Sequence, residues 1–243
     1  MYIWILISVI SLVLITLGFY RINIPRDPGK EGFEDLEAKI AYDNVNHWLL
    51  FKYFRYIVLR KLKSMHQRGT VLDAGCGPGY LAFSIGRKYL KSKVIGVDIS
   101  EEILRIAVYN RSIYRTENVQ FVKADVARLP FSSESIDLIT STLSLHHWSH
   151  RDEAMVEFHR ILKPGGKILI FDLRRDEPLL VYYLGHFIQN FLSPSPIRKV
   201  NGGIGSIWSS YKPDEMALFP ASKLFRKWKV EKGWAWAYIR GEK

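Results

Sequence analysis

Cysteine is nearly absent from this chain. Cys76 is the only one among 243 residues, which rules out an intrachain disulfide and removes any need for an oxidising compartment. There is no internal repeat and no low-complexity tract. Charged side chains are missing from Met1 to Tyr20, so that stretch lacks the polar face of an ordinary globular helix; only Ser8, Ser11 and Thr16 interrupt it. No basic residue precedes the run and no small-x-small pattern follows it, because Phe19-Tyr20-Arg21 stands there, which argues against a cleaved signal peptide.

What the first 20 residues do contain is an apolar run long enough to cross about 30 Å of hydrocarbon as a helix. It reads as a transmembrane anchor. Arg21, Arg26 and Lys30 follow it, so the positive-inside rule puts the remainder of the chain on the cytoplasmic side of a membrane crossed once. Residues 21–46 then read as a linker and the start of a helical segment, with prolines and glycines over 22–33 that break helices.

The net charge of +11 admits nucleic acid, anionic membrane or acidic substrates as partners. Its distribution favours the membrane, since Lys52, Arg55, Arg60, Lys61, Lys63 and Arg68 cluster close to the apolar run and form no nucleic-acid module. Within 47–68, helical spacing gathers Lys52, Arg55, Arg60 and Lys63 on one face and Phe51, Tyr53, Phe54, Ile57, Val58, Leu62 and Met65 on the other. Such a basic amphipathic helix fits a lipid surface, and equally a helix packed over a catalytic domain as a lid.

From residue 69 onward, strand-like runs at 70–74, 93–98, 118–123, 135–141 and 166–172 alternate with helical stretches. Helix 80–90 would turn Leu81, Ile85 and Tyr89 to the sheet. Segment 151–163 carries a stripe of Ala154, Met155, Phe158, Ile161 and Leu162, ended by Lys163-Pro164-Gly165-Gly166. This alternation predicts an α/β, doubly wound sheet with helices on both faces. At the first strand's end stands Val71-Leu-Asp-Ala-Gly-Cys-Gly-Pro-Gly79, where residues without a Cβ let a ligand approach backbone and a helix N-terminus. The spacing departs from Gly-x-Gly-x-x-Gly because Tyr80 occupies the last glycine's place, and no Gly-Lys-Ser/Thr follows, which excludes a P-loop. The second strand ends in Asp98, 19 residues past Gly79, where an acid suits a ribose diol.

These residues resemble the class I S-adenosylmethionine-dependent methyltransferases, in the branch that includes quinone-methylating and small-molecule enzymes. The matching segments run in order. They are Val71–Gly79, Val94–Ser100, Val122–Asp125 with Leu129-Pro130-Phe131, Ser135–Thr140 leading into Leu145-His146-His147-Trp148, and Ile161–Ile170. The resemblance implies a Rossmann-like seven-stranded sheet closed by an antiparallel pair near 224–232 and 234–240, with S-adenosylmethionine as cofactor. It implies that Gly75, Gly77 and Gly79 give close backbone approach and that Cys76 is a small residue under the cofactor. Asp98 would take the ribose hydroxyls, Asp125 the adenine amine, and Asp73 would fix the turn and approach the methionine ammonium. Ile99, Val126 and Ser141 complete the implied cofactor set.

His146, His147 and Asp172 are the candidates for a catalytic base, since histidine titrates near neutral pH, although a merely loop-shaping role fits the histidines as well. His146, His147 and His150 have no companion cysteine or acid pattern, so no metal site is expected. Residues 177–210 read as a substrate cap: an apolar helix-like piece over 179–192, then Ser193-Pro-Ser-Pro196 and a flexible Asn201-Gly-Gly-Ile-Gly205. The expected function is methyl transfer to a lipophilic acceptor that partitions into the bilayer, such as a quinone, an isoprenoid or other lipid, or a hydrophobic thiol. Two readings compete with it: a small-molecule thiol, phenol or amine methyltransferase anchored only for location, and a non-catalytic cofactor-binding scaffold. A nucleic-acid acceptor is disfavoured, because Thr140-Ser-Thr-Leu143 stands where many nucleic-acid amine methyltransferases carry Asn/Asp-Pro-Pro-aromatic.

Overall fold

The structure, a computed structural model, describes residues 2–30, 35–65 and 68–243; positions 31–33 of the expected linker and 66–67 of the basic segment lie outside the described residues. Strands β1 (Gly69–Ala74), β2 (Ser92–Asp98), β3 (Val119–Lys123), β4 (Ile136–Thr142), β5 (Leu162–Leu173), β6 (Lys227–Lys232) and β7 (Trp236–Glu242) form one sheet in the order β3-β2-β1-β4-β5-β7-β6. The first five strands are parallel; β7 runs antiparallel to β5, and β6 to β7. The chain leaves β1 in both directions, so the carboxyl ends of β1, β2 and β4 open a crevice at the switch in strand order.

Helices cover both faces, which is why β1 and β2 read as continuous apolar runs rather than alternating ones. One face packs Val71, Val94, Leu138 and Leu169 against α3 (Leu49–Leu62) and α4 (Tyr80–Lys88); the other packs Leu72, Ile95, Ile139 and Ile168 against α6 (Arg151–Ile161). Beside α4, α5 (Glu101–Tyr114) starts at Ser100, whose Oγ accepts from the Ile103 N–H at 3.4 Å, with Glu101 and Glu102 in the positively polarised first turn. The stripe on α6 is as expected, but the helix stops at Ile161. Leu162 already pairs with Ile136, so β5 begins before Pro164 and the glycines instead of after them.

Three expectations about the flanking segments are corrected. The basic helix is shorter, Leu49–Leu62; in line with the packed alternative, it turns Phe54, Val58 and Leu62 into the core beside Phe171 and Tyr238. Arg55 leaves the basic face: it is half-buried over the Tyr80 ring and donates to the Asn46 carbonyl at 2.9 Å. Residues 20–27 are no loose tether, because Ile22 is buried and the Asp27 N–H donates to the Trp208 carbonyl at 3.0 Å. Residues 202–205 are not flexible loop either. They open α9 (Gly202–Ser209), because left-handed Asn201 starts the turn and the buried Gln189 Oε1 accepts from the Gly203 N–H at 2.9 Å. The rest of the cap is α7 (Leu179–Phe187), a π-turn over Ile188–Leu192, and a short helix over Ser195–Lys199.

Helix α1 (Tyr2–Phe19) is the one helix among the described residues long and apolar enough to cross a membrane, and none of it is buried. Its last turn abuts α7, and the Trp234 indole donates to the Gly18 carbonyl at 3.3 Å.

Phe83 is fully buried on α4 and stacks on Tyr114 with ring centroids 5.0 Å apart. Phe83→Ala is expected to cost about 3–5 kcal/mol of stability. The same change at exposed Tyr109 should stay within about 0.5 kcal/mol. Guanidinium unfolding in detergent measures both, and equal losses would contradict this packing.

Candidate active site

Gly75 leaves β1 with φ +67°, and a Cβ there would sit 1.8 Å from the Ser144 hydroxyl. Any side chain would therefore drive the loop after β4 away from the turn. Gly79 caps α4 with φ +89°, where a Cβ would meet Phe121 at 2.7 Å. Between them the Gly77 N–H donates to Asp98 Oδ2 at 2.9 Å, while Asp98 Oδ1 accepts from the Ser100 N–H at 3.0 Å. A carboxylate has about four acceptor sites, so Asp98 keeps capacity for a diol. Burial pushes its carboxyl up, and the N–H groups of Ser100, Gly77 and Ile99 hold it down.

Asp73 is 1% exposed, and its Oδ2 has no hydrogen-bond partner among the described residues. It borders a small recess of about 50 Å³ beneath the turn, shared with Gly75, Cys76 and Gly77. Burial raises its pKa to about 7, against a backbone hydrogen bond from Ala82 and with Asp98 adding to the rise. An unsatisfied buried acid next to bare turn backbone is the arrangement a cationic ligand would complete.

Above the turn lies a cavity of about 1290 Å³. One end is walled by Gly75, Gly77, Asp98, exposed Ile99, exposed Asp125 and buried Val126. The other end is walled by Val181, Leu184, Ile188 and Ile207 of the cap with Trp234 and Trp236. A single small-ligand site typically takes about 300–1,000 Å³, so there is room for a nucleotide and a second molecule.

Ser141 does not join this wall. It is fully buried, and its Oγ donates to the Ala74 carbonyl at 2.7 Å, bonding β4 to β1 beneath the turn. Of the catalytic candidates, His147 and neighbouring His150 line the cavity. His146 and Asp172 do not. They are buried together, with Nδ1 2.7 Å from Asp172 Oδ1 and the His146 N–H donating to Oδ2 at 3.0 Å, which ties the loop after β4 to the end of β5.

Sequence reading missed Lys39, Tyr42 and His47 from the N-terminal helical segment, which wall the cofactor end, and Glu177, which lines the cavity just past β5. The first three lie far from the motif in sequence. Glu177 had a signal available, the rule that ligands sit beyond the carboxyl ends of parallel strands.

A parallel sheet of this order, closed by an antiparallel pair, with a glycine turn and an acid at adjoining strand ends, defines a nucleoside-binding methyltransferase fold. Comparison with known proteins agrees: a methyltransferase domain family matches residues 72–170. The ubiquinone/menaquinone biosynthesis C-methyltransferase UbiE of Syntrophotalea carbinolica is 30% identical over 185 residues, covering 74% of this chain and 75% of its own. The demethylmenaquinone methyltransferase of Chlorobaculum tepidum is 29% identical over 201 residues, 79% of this chain and 78% of its own. Among solved structures, an S-adenosylmethionine-dependent methyltransferase of Methanococcus maripaludis superposes with a TM-score of 0.66 at 22% identity, covering 88% and 96% of the two chains. The chain belongs to the class I S-adenosylmethionine-dependent methyltransferases. It is an enzyme, and S-adenosylmethionine is its cofactor.

The site residues fit that cofactor through the unpartnered Asp73 oxygen, the glycine cradle and the spare acceptor capacity of Asp98. Cys76 is packed against Ile103 and Leu104, and burial raises its thiol well above the ordinary value, so the reactive thiolate is suppressed at neutral pH. N-ethylmaleimide at pH 7 should leave the folded protein unlabelled and modify this sole cysteine only after unfolding. Rapid labelling of the native protein, read by intact mass, would contradict the packing.

Proposed function

We propose that this chain is a membrane-anchored methyltransferase whose acceptor is lipophilic, a quinone, an isoprenoid or other lipid, or a hydrophobic thiol. The carrying observation is apolar continuity between the cavity and α1. The cap that walls the acceptor end also exposes Leu184, Phe187, Phe191 and Leu192, and its helix α7 abuts the end of the apolar span. Leu49, Leu50 and Trp234 line the same cavity and are exposed as well. Oily side chains on a cavity rim next to an apolar helix are what an acceptor entering from lipid requires. The relatives named for quinone methylation, at 30% and 29% identity, support the same acceptor class. Arg21 and Arg26 after the span support a cytoplasmic catalytic domain.

On this reading the cofactor is held by the backbone of Gly75, Cys76, Gly77 and Gly79, by Asp98 at the ribose, and by Asp125 with Ile99 and Val126 at the adenine. Asp73 would take the ammonium. S-adenosylmethionine supplies a methyl group already activated on a sulfonium, so the protein's part is chiefly positioning, which can contribute about 7–11 kcal/mol. His147 stands on the cavity wall where a proton leaving the acceptor can be taken up, and the His146–Asp172 pair keeps its loop in place.

Recognition of an ammonium by ionised Asp73 requires release of a proton held near pH 7. Cofactor affinity is therefore expected to rise with pH, on the order of tenfold per unit at most below about 7, and to level off above it. Asp73→Asn should bind weakly without that slope. Calorimetric titrations across this range check it, and parallel slopes in both proteins would remove Asp73 from the role.

Deleting residues 2–17 spares the Trp234 bond to Gly18 and the buried Ile22. The truncated enzyme should keep turnover of a soluble acceptor within about twofold while losing on the order of tenfold on an acceptor embedded in vesicles, through lost effective concentration. Equal loss on both acceptors would defeat the lipophilic reading.

A further inference from the structure

Four charged residues follow β5 directly: Arg174, Arg175, Asp176 and Glu177. The first three are spoken for. Arg174 donates to both oxygens of Asp176, at 2.7 and 2.6 Å, and Arg175 forms a two-pronged pair with Glu215. Glu177 is different. It is 1% exposed, it lines the cavity as do Trp234, Trp236 and Val181, and its Oε1 has no hydrogen-bond partner among the described residues. The nearby cation, Arg21, gives its guanidinium to the carbonyls of Asp176 and Trp234, at 2.9 and 3.2 Å.

The main chain at this residue is held in place. The Glu177 carbonyl accepts from the Ile22 N–H at 3.1 Å, and the Leu179 N–H donates to the Tyr20 carbonyl at 2.8 Å, so the segment leaving α1 is bridged to the residues flanking the acid. Pro178 between them is buried. A buried acid on an apolar wall with an unmet oxygen is costly, and more than nine in ten buried polar groups in folded proteins are satisfied. Structure alone gives this one no use.

We infer that Glu177 receives the polar head of the acceptor, hydrogen-bonding a neutral hydroxyl or carbonyl carried by a lipophilic molecule whose tail lies along the apolar cap. This rests on the lipophilic reading above and adds to it the group that sets the head's position. The chemistry is specific. Burial raises the Glu177 pKa to about 8, against the opposing charge of Arg21 and with Asp176 adding to the rise. At neutral pH the group is then mostly a carboxylic acid, which both donates and accepts a hydrogen bond, the complement of a hydroxyl or carbonyl. The cofactor end of the cavity, by contrast, is served by Asp73 and Asp98 and does not call on Glu177.

The test uses the full chain in detergent and a pair of probes with the same tail, 4-octylphenol and octylbenzene, titrated while following tryptophan emission. The wild type should prefer the phenol over the hydrocarbon. In Glu177→Leu that preference should fall about 3- to 10-fold relative to the wild type, the worth of one neutral hydrogen bond. Glu177→Gln, which keeps a donor and an acceptor, should retain most of it. S-adenosylhomocysteine binding by each variant reports an intact fold. If the leucine variant fails that check, infrared difference spectra decide: a carboxylic-acid C=O band should shift with 4-octylphenol and be missing in Glu177→Gln. Equal preference in wild type and Glu177→Leu, or a wild-type band that ignores the phenol, overturns the inference while leaving the lipophilic reading intact. A folded wild type that binds neither probe overturns both.

Discussion

The site depends on one carboxylate. Asp98 sits at the end of β2 and accepts from the Gly77 N–H on one oxygen and the Ser100 N–H on the other. The first bond holds the turn after β1 and the second holds the entry to α5, so two chain segments that meet only in the folded sheet share one anchor. A carboxylate bridging two backbone donors fixes their spacing more tightly than either loop would by itself. The cavity walls at the cofactor end follow from that spacing.

A second constraint works from below. Gly75 has room for no side chain because Ser144 packs against it, and Ser144 Oγ also accepts from the Trp148 indole at 2.9 Å. The loop after β4 is thereby set against the turn after β1, and His146 continues the chain of contacts to Asp172 on β5. Three parallel strand ends are coupled through side-chain and backbone hydrogen bonds. This explains how a histidine pair in that loop can place one ring, His147, on the cavity while the other is consumed in support.

Much of this was legible in the sequence where the information is local. The glycine turn, the acid at the end of β2 and the apolar runs of β1 and β2 each carry a short-range signal, and the structure has them within a residue or two of the expected positions. What was not legible is a matter of facing. Ser141 was implied as a site residue by the resemblance and lies near a strand's carboxyl end, but in a sheet covered on both sides that place does not tell which way a side chain turns, and its hydroxyl is bonded to the neighbouring strand. Arg55 matched the period of a basic face, yet its contact with Asn46 and Tyr80 draws it in. Gly202 to Gly205 carry the composition of a loop, and the buried Gln189 side chain, distant in sequence, helps left-handed Asn201 make them the first turn of a helix. Glu177 gave no local signal apart from its place after a strand.

The way the N-terminal helix joins the domain sharpens the proposed relation to a membrane. An 18-residue helix with no buried residue leaves its apolar side chains to whatever surrounds it, and removing each large one from water is worth about 1.5–3 kcal/mol. On the proposed reading, lipid is that environment. The connection has little slack, since Phe19 ends the helix and the Ile22 N–H is already bonded to Glu177. Extended chain covers at most about 3.3–3.6 Å per residue, so Ile22, bonded to this acid's carbonyl, lies within roughly 10 Å of the span's end. On the anchored reading, the apolar end of the cavity is therefore held at the membrane surface by the fold itself, and an acceptor need leave the bilayer only by the depth of its polar head.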